Sequence, residues 1–230
     1  MKNLAFIFLI IGVALLGFGV HQYEVSDGAD AGPTNVRLSE VERIGFLNLK
    51  NITIDAHLKV YPSLIYSFSA VAGQTEAKDF NRIRYSYYPV VSLIHPYAIK
   101  IDELTKKYGG VEKIPNNLLP ELSMFSILVK TADFQKKSDL PTHVQIGNGI
   151  TGIITNDYSG LSQDEKSLLL ESFPKLDLNR VYLLDQGLQP IPSDHIYILI
   201  GGGVTLLLIG LVLFLILIFK FLKILFTRNP

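Results

Sequence analysis

Two long apolar runs, one near each end of the chain, constrain it more than anything between them. Leu4 to Val20 and Ile196 to Phe219 carry no charged residue, and the second spans 24 residues. A helix needs about 20 apolar residues to cross a hydrocarbon core of roughly 30 Å. Inside lipid, a backbone satisfies its own polar groups only as a helix or a closed barrel. The expectation is two transmembrane helices, at 4–20 and 196–219, with residues 21–195 held on one side of a membrane.

Charge orients the two spans. Every Asp and Glu lies between residues 21 and 195, whereas Lys2, Lys220, Lys223 and Arg228 lie outside that segment. With those four removed from the 21 basic residues, the middle keeps 17 against 21 acidic ones, a net of −4. Basic residues flanking spans stay on the cytoplasmic side. This places the short N-terminus (1–3) and the basic tail (220–230) in the cytoplasm and the middle outside it. An acidic middle also lacks the basic face that nucleic-acid binding requires, so no nucleic-acid partner is expected.

The first run is read as an uncleaved anchor. It is long for the apolar core of a signal peptide, and its exit, Gly17 to Tyr23, shows no small-x-small cleavage pair. The chain has no cysteine, which removes thiol catalysis and thiolate metal sites. An outside segment of this length buries a core without disulfides.

Residues 21–34 read as a linker, small and polar around Asp27-Gly-Ala-Asp30, and 35–193 as a folded domain. Ile52, Ile54, Ala56, Leu58 and Val60 alternate with polar residues, the period of one half-buried strand. Leu64 to Ala70 predicts its antiparallel neighbour, and Arg82 to Ile94 a third strand in which Pro89 marks an edge or a bulge. Asp102 to Tyr108 predicts a short helix stopped by Gly109-Gly110. Phe125 to Thr131 predicts a further strand. Thr142–Ile146 and Ile150–Thr155 flank Gly147-Asn148-Gly149, a strong hairpin signal. Ser162 to Glu165 forms a capping box ahead of a helix carrying Leu168, Leu169 and Leu170, and Arg180 to Asp185 a last strand. Dominant strands without βαβ alternation give an α+β class, and an OB-like partial barrel fits the order.

Candidate chemistry is sparse. Asp55 and His57 stand two apart on the expected strand, a carboxylate and an imidazole able to hold a metal or polarise a base. The plainer reading puts both on its solvent face with Thr53 and Lys59, since zinc sites want three or four ligands. His95 or His143 would have to complete a set. No metal and no cofactor are therefore expected. His21 and His195 abut the spans and suit the membrane interface. Gly147 to Gly152 imitates a glycine-rich loop but lacks the following Lys and helix. Asn51-Ile-Thr53 is a glycosylation sequon, and Arg82, Arg84, Lys106 and Lys107 are candidates for a basic patch. Within the spans, Gly12 and Gly19 are seven apart, as are Gly203 and Gly210, each pair on one helical face. Small residues let transmembrane backbones approach closely, so these four are the expected seam between the spans or with another copy.

Tyr85-Ser-Tyr-Tyr-Pro-Val-Val-Ser92, followed later by Val181-Tyr-Leu-Leu and a Gly-rich final span, resembles a broad family of uncharacterised bacterial membrane proteins. In that family a small β-rich domain sits between two terminal helices. The resemblance implies a bacterial inner-membrane location and a non-catalytic domain, and it supplies no catalytic residues. The expected role is a binding, scaffold or accessory subunit that works with the lipid bilayer and with a membrane-protein partner or another copy. The alternative is a membrane-tethered metal-dependent hydrolase using Asp55 and His57.

Overall fold

Each apolar run is helical over its whole length and beyond. The computed structural model describes residues 2–27, 29, 32–45, 49–68, 83–155, 161, 163–174 and 176–227. In it, α1 covers Lys2–Ser26 and the final helix, α5, covers Ser193–Thr227. At 1.5 Å per residue these are about 37 and 52 Å long, and both are long and apolar enough to cross a membrane. No helix breaker stands between Val20 and Ser26, so α1 runs on through the first part of the expected linker. The two helices belong to one compact unit, Met1–Asp30 with Pro190–Pro230; Ala31–Gln189 form the other.

Within the first unit α1 and α5 pack antiparallel. Gly210 lies against Leu9, Gly12 against Leu207, Gly203 against Leu16 and Gly19 against Ile200. Buried residues recur every seven along α1 (Ala5, Gly12, Gly19, Ser26) and along α5 (Ile196, Gly203, Gly210). A seven-residue period keeps one face of a slightly supercoiled helix on its neighbour. Phe6 and Phe214 meet edge to face at 5.9 Å, and the Ile191 N–H donates to Ser26 Oγ at 3.0 Å near the other end.

The second unit is a mixed α/β domain built on one curled, half-barrel sheet. Its elements in chain order are β1 (Thr34–Val36), α2 (Leu38–Ile44), β2 (Asn51–Ile54), β3 (His57–Lys59), β4 (Ile65–Phe68) and β5 (Ile83–Ser92). Then follow α3 (Pro96–Tyr108), β6 (Ile127–Thr131), β7 (Gln145–Gly147), β8 (Ile150–Thr155), α4 (Gln163–Ser172) and β9 (Tyr182–Asp185). The strands lie in the order β1-β2-β8-β9-β6-β5-β3-β7, with β4 also on β5.

The curl has a local cause. β2 pairs with β8 from Asn51↔Ile153 to Ile54↔Ile150, and β3 pairs with β7 from His57↔Gly147 to Lys59↔Gln145. Both pairings follow one antiparallel register, interrupted where Asp55-Ala56 faces Asn148-Gly149. The expected single strand at 52–60 is therefore two strands joined by a bend. The expected hairpin at Asn148-Gly149 is a bend as well, because β7 and β8 pair with β3 and β2 and not with each other. Gly149 takes φ 73° and its N–H donates to Ile54 O, a conformation that suits glycine. Pairing that leaves β2 through β8, β9, β6 and β5 arrives at β3, the other half of the same segment.

Asp55 is drawn out of the ladder by α2. Its carboxylate accepts the Leu38 N–H at 3.0 Å, and its own N–H donates to Val36 O at 3.1 Å. Arg37, the residue before α2, offers no side-chain cap, so Asp55 fills that role from a distance. Asp55→Ala should cost about 1 kcal/mol, the usual loss for a helix cap. Asp55→Asn should retain most of the stability, as read by denaturant melts of the full chain.

Further expectations shift in the sheet. β4 neighbours β5 and not β3, and residues 69 and 70 of the expected second strand lie outside the described residues. Pro89 sits in a central strand, not at an edge. Its carbonyl accepts the Val60 N–H, and in an antiparallel strand the ring nitrogen faces the same way. On that side β3 has ended and β4 has not begun, because the chain makes a 3₁₀ turn at Tyr61–Ser63, so the missing donor is not needed.

Both faces of the central strands are buried. Tyr88, Val90, Ile127, Val129 and Leu184 pack with Ile52, Ile54 and the α2 residues Leu38 and Val41. Tyr87, Val91, Leu128 and Leu183 pack on the opposite face with Tyr97, Ala98 and Ile101 of α3 and Leu169 of α4. α3 starts six residues earlier than expected because His95 caps it, accepting the Tyr97 N–H at 3.2 Å, and Pro96 suits the first turn. Gly109 in the left-handed region ends it. The expected capping residue Ser162 lies outside the described residues; in α4, Leu169 is buried while Leu168 and Leu170 are exposed.

Candidate functional site

The bend separates Asp55 from His57 and turns them to different tasks. Asp55 is exposed and holds α2. His57 is fully buried (0 %), contrary to the expected solvent face. Its Nδ1–H donates to the Asp55 carbonyl at 2.6 Å, which leaves Nε2 as the acceptor of a neutral ring. Nε2 is buried and has no hydrogen-bond partner among the described residues. Burial pushes the His57 pKa below its usual 6.5; the bond to the Asp55 carbonyl opposes this, and the Lys59 charge adds to it. The ring fits because position 147 is glycine. A Cβ there would lie 2.7 Å from His57 Nε2 and 2.5 Å from Lys59 Cε.

His95, the α3 cap, is half-buried, and burial lowers its pKa while the Glu42 carboxylate pulls it up. His143 is exposed ahead of β7. Among the described residues no three His, Cys, Asp or Glu side chains gather to hold a metal ion. Gly147 and Gly152 are strand residues. Gly152 lets β9 come close, since a Cβ on it would meet the Asp185 carbonyl oxygen at 2.6 Å. Asn51 is only 8 % exposed within β2, so the folded domain leaves its sequon no room for a glycan. The basic residues take local partners: Arg84 stacks on Tyr85, Lys106 pairs with Asp102, and Lys107 lies over Tyr108. Arg82 lies outside the described residues.

The four expected glycines come together in the first unit. A Cβ on Gly12 would meet Leu207 N at 2.9 Å and Gly203 O at 3.0 Å, and one on Gly203 would meet Leu16 N at 2.9 Å and Gly12 O at 3.1 Å. Gly19 and Gly210 press on Ile200 and Leu9 in the same way. Gly17, Gly201 and Gly202 face open space. The seam is selective.

Cavities open on the domain among the described residues. One of about 540 Å³ joins Glu42 and His95 to Arg180 over an apolar floor that includes Phe125 and Val181, with Met124 exposed beside it. Glu42 is held by Ser92, whose N–H and Oγ–H donate to its two oxygens at 2.8 and 2.5 Å. Its surroundings suit a ligand with both polar and apolar parts. Another, of about 500 Å³, is apolar, walled by Leu58, Ile101, Val144 and Ile146 with Asp102 and Thr105 at one side. Ile146 is 75 % exposed on β7, the last strand of the sheet.

Sequence reasoning missed the Glu42 to Ser92 link because it missed α2. Leu38 and Val41 three apart, with Gly45 after the last turn, were the signal. It also missed the pairing of Lys130 with Asp185, at 2.7 Å, with the Lys130 ammonium 4.2 Å above the Tyr85 ring. Strand neighbours so distant in sequence leave no local trace. No protein-family model, curated protein or solved structure matches the chain, so the likeness carried by Tyr85 to Ser92 assigns no family.

Proposed function

We propose that this is an integral membrane protein in which α1 and α5 cross the bilayer as an antiparallel pair. The observation that carries the reading is the pairing itself: two helices, each built on a long uncharged apolar run and long enough to span, packed along four glycines at a seven-residue period. Basic residues outside the spans favour both termini in the cytoplasm, and the acidic domain then lies on the outer side of a bacterial inner membrane. The domain is an OB-like partial barrel on this reading. Counting β2–β3 and β7–β8 as single bent segments, the neighbours around the curl run first, second, third, fifth, fourth, with the third and fifth, β6 and β9, parallel. That exchange of the last two is a Greek-key order.

The domain acts as a non-enzymatic binding, scaffold or accessory module, working with lipid, a membrane-protein partner or another copy. Asp55 and His57, the pair with most claim to chemistry, support this through their commitments to α2 and to the backbone. The test is metal analysis of the purified full chain beside His57→Ala. The expected result is no stoichiometric metal in either, with a lower melting point for the variant because a buried ring is lost. One metal per chain, lost on substitution, would instead establish a metal-dependent enzyme.

A further inference from the structure

His57 and Lys59 both lean over Gly147, the residue that ends β7. Each lies within 3 Å of the point a Cβ on Gly147 would occupy: His57 Nε2 at 2.7 Å and Lys59 Cε at 2.5 Å. The imidazole is fully enclosed, and its Nε2 has no hydrogen-bond partner among the described residues. β7 is three residues long, pairs with β3 alone among the described strands, and hangs from the bend at Gly149. Ile146 of β7 is one wall of the apolar cavity, together with Leu58 and Val144.

We infer that β7 is an acid-released strap that walls one side of this cavity, held in place while His57 is neutral. A proton on Nε2 would create a buried N–H donor with no acceptor and a second positive charge beside the end of Lys59. The charged groups around the ring do little to relieve this. Asp55, in the bend before β3, has its carboxylate engaged by the Leu38 N–H. On β5 the partner of His57 is Ser92, whose N–H and hydroxyl are turned to Glu42 of α2. β7 itself contributes Gln145, Ile146 and Gly147, none of them charged.

The sign follows from the lowered pKa of the closed form. Above the ordinary histidine value of 6.5 neither the closed nor the open form binds the proton, and the strap keeps its full stability. As pH falls below 6.5 the open form binds it first, and closure weakens by up to about tenfold per pH unit. Released β7 would uncover Leu58 of β3, against which Ile146 pairs, and open that side of the cavity.

The test is hydrogen exchange of the full chain in lipid nanodiscs at pH 7.5 and 5.5, with rates corrected for intrinsic exchange at each pH. In the wild type, protection across Gln145–Gly147 should fall about tenfold, while β6 and β9 keep theirs. His57→Asn should abolish the pH dependence. Lys59→Gln, which leaves the ring in place, should reduce it by removing the like charge. Protection that does not change with pH, that falls equally in His57→Asn and Lys59→Gln, or that is lost across the whole sheet at once would overturn the proposal.

Discussion

Replacing Gly12→Leu together with Gly203→Leu is expected to cut crosslinking between the two terminal helices about tenfold or more. The two glycines meet across the helix pair, and a Cβ on either would approach backbone atoms of the other helix at 2.9 to 3.1 Å. Backbone cannot swing aside as a side-chain tip can, so the helices must separate. Overpacking costs about 1 to 3 kcal/mol even where side chains can adjust, and 1.4 kcal/mol is already tenfold. The chain lacks cysteine, so Phe6→Cys with Phe214→Cys makes a clean reporter, the two rings lying 5.9 Å apart. Gly17→Leu and Gly202→Leu form the control, because both positions face open space. They should leave crosslinking unchanged. Equal loss in both pairs would mean that bulk alone, and not the seam, disturbs the helices.

The second large effect lies in the domain. Asp185→Ala should destabilise it by roughly 3 kcal/mol, near the low end for breaking a buried ion pair. Asp185 is 6 % exposed; one carboxylate oxygen receives Lys130 Nζ at 2.7 Å and the other the Gly187 N–H at 2.9 Å. Removing it strands the Lys130 ammonium in a largely buried place, with the Tyr85 ring as its partner among the described residues. The double variant Lys130→Met with Asp185→Leu should recover most of the loss, since it removes the orphaned charge along with its partner. Urea unfolding of the full chain followed by tyrosine fluorescence reads both. A double variant as unstable as the single one would show that the loss comes from the Gly187 bond and the packing around it.

The helices were legible because their cause is local. An apolar run as long as Ile196 to Phe219, with no proline and no charge in it, announces a helix by itself. The seven-residue spacing of Gly12 and Gly19, and of Gly203 and Gly210, puts each pair on one face of its run. The sheet was legible only in pieces. Ile52 to Val60 alternates evenly straight through Asp55 and Ala56, so its period gives no sign of the bend. That bend is made by Leu38, Val36 and Ile54 bonds to residues distant in sequence. Asn148-Gly149 misled for the reverse reason. Its local preference for a turn is real, and Gly149 does take a positive φ, but the partners of β7 and β8 lie elsewhere. His57 misled through its alternation: a polar residue beside Leu58 was assigned to solvent, yet Gly147 on the facing strand makes room to enclose it. Pairing between segments decided these positions, and pairing is what one sequence conceals.

Single cysteines at Asn3→Cys, Lys107→Cys and Asn229→Cys, each in the otherwise cysteine-free chain, test the two-span arrangement most directly. Intact cells would be treated with a membrane-impermeant maleimide, before and after permeabilisation. The cysteine at 107 should label at once, and those at 3 and 229 only after the membrane is opened. Labelling of 3 and 229 on opposite sides, or of all three alike without permeabilisation, would contradict a pair of crossing helices with the domain outside.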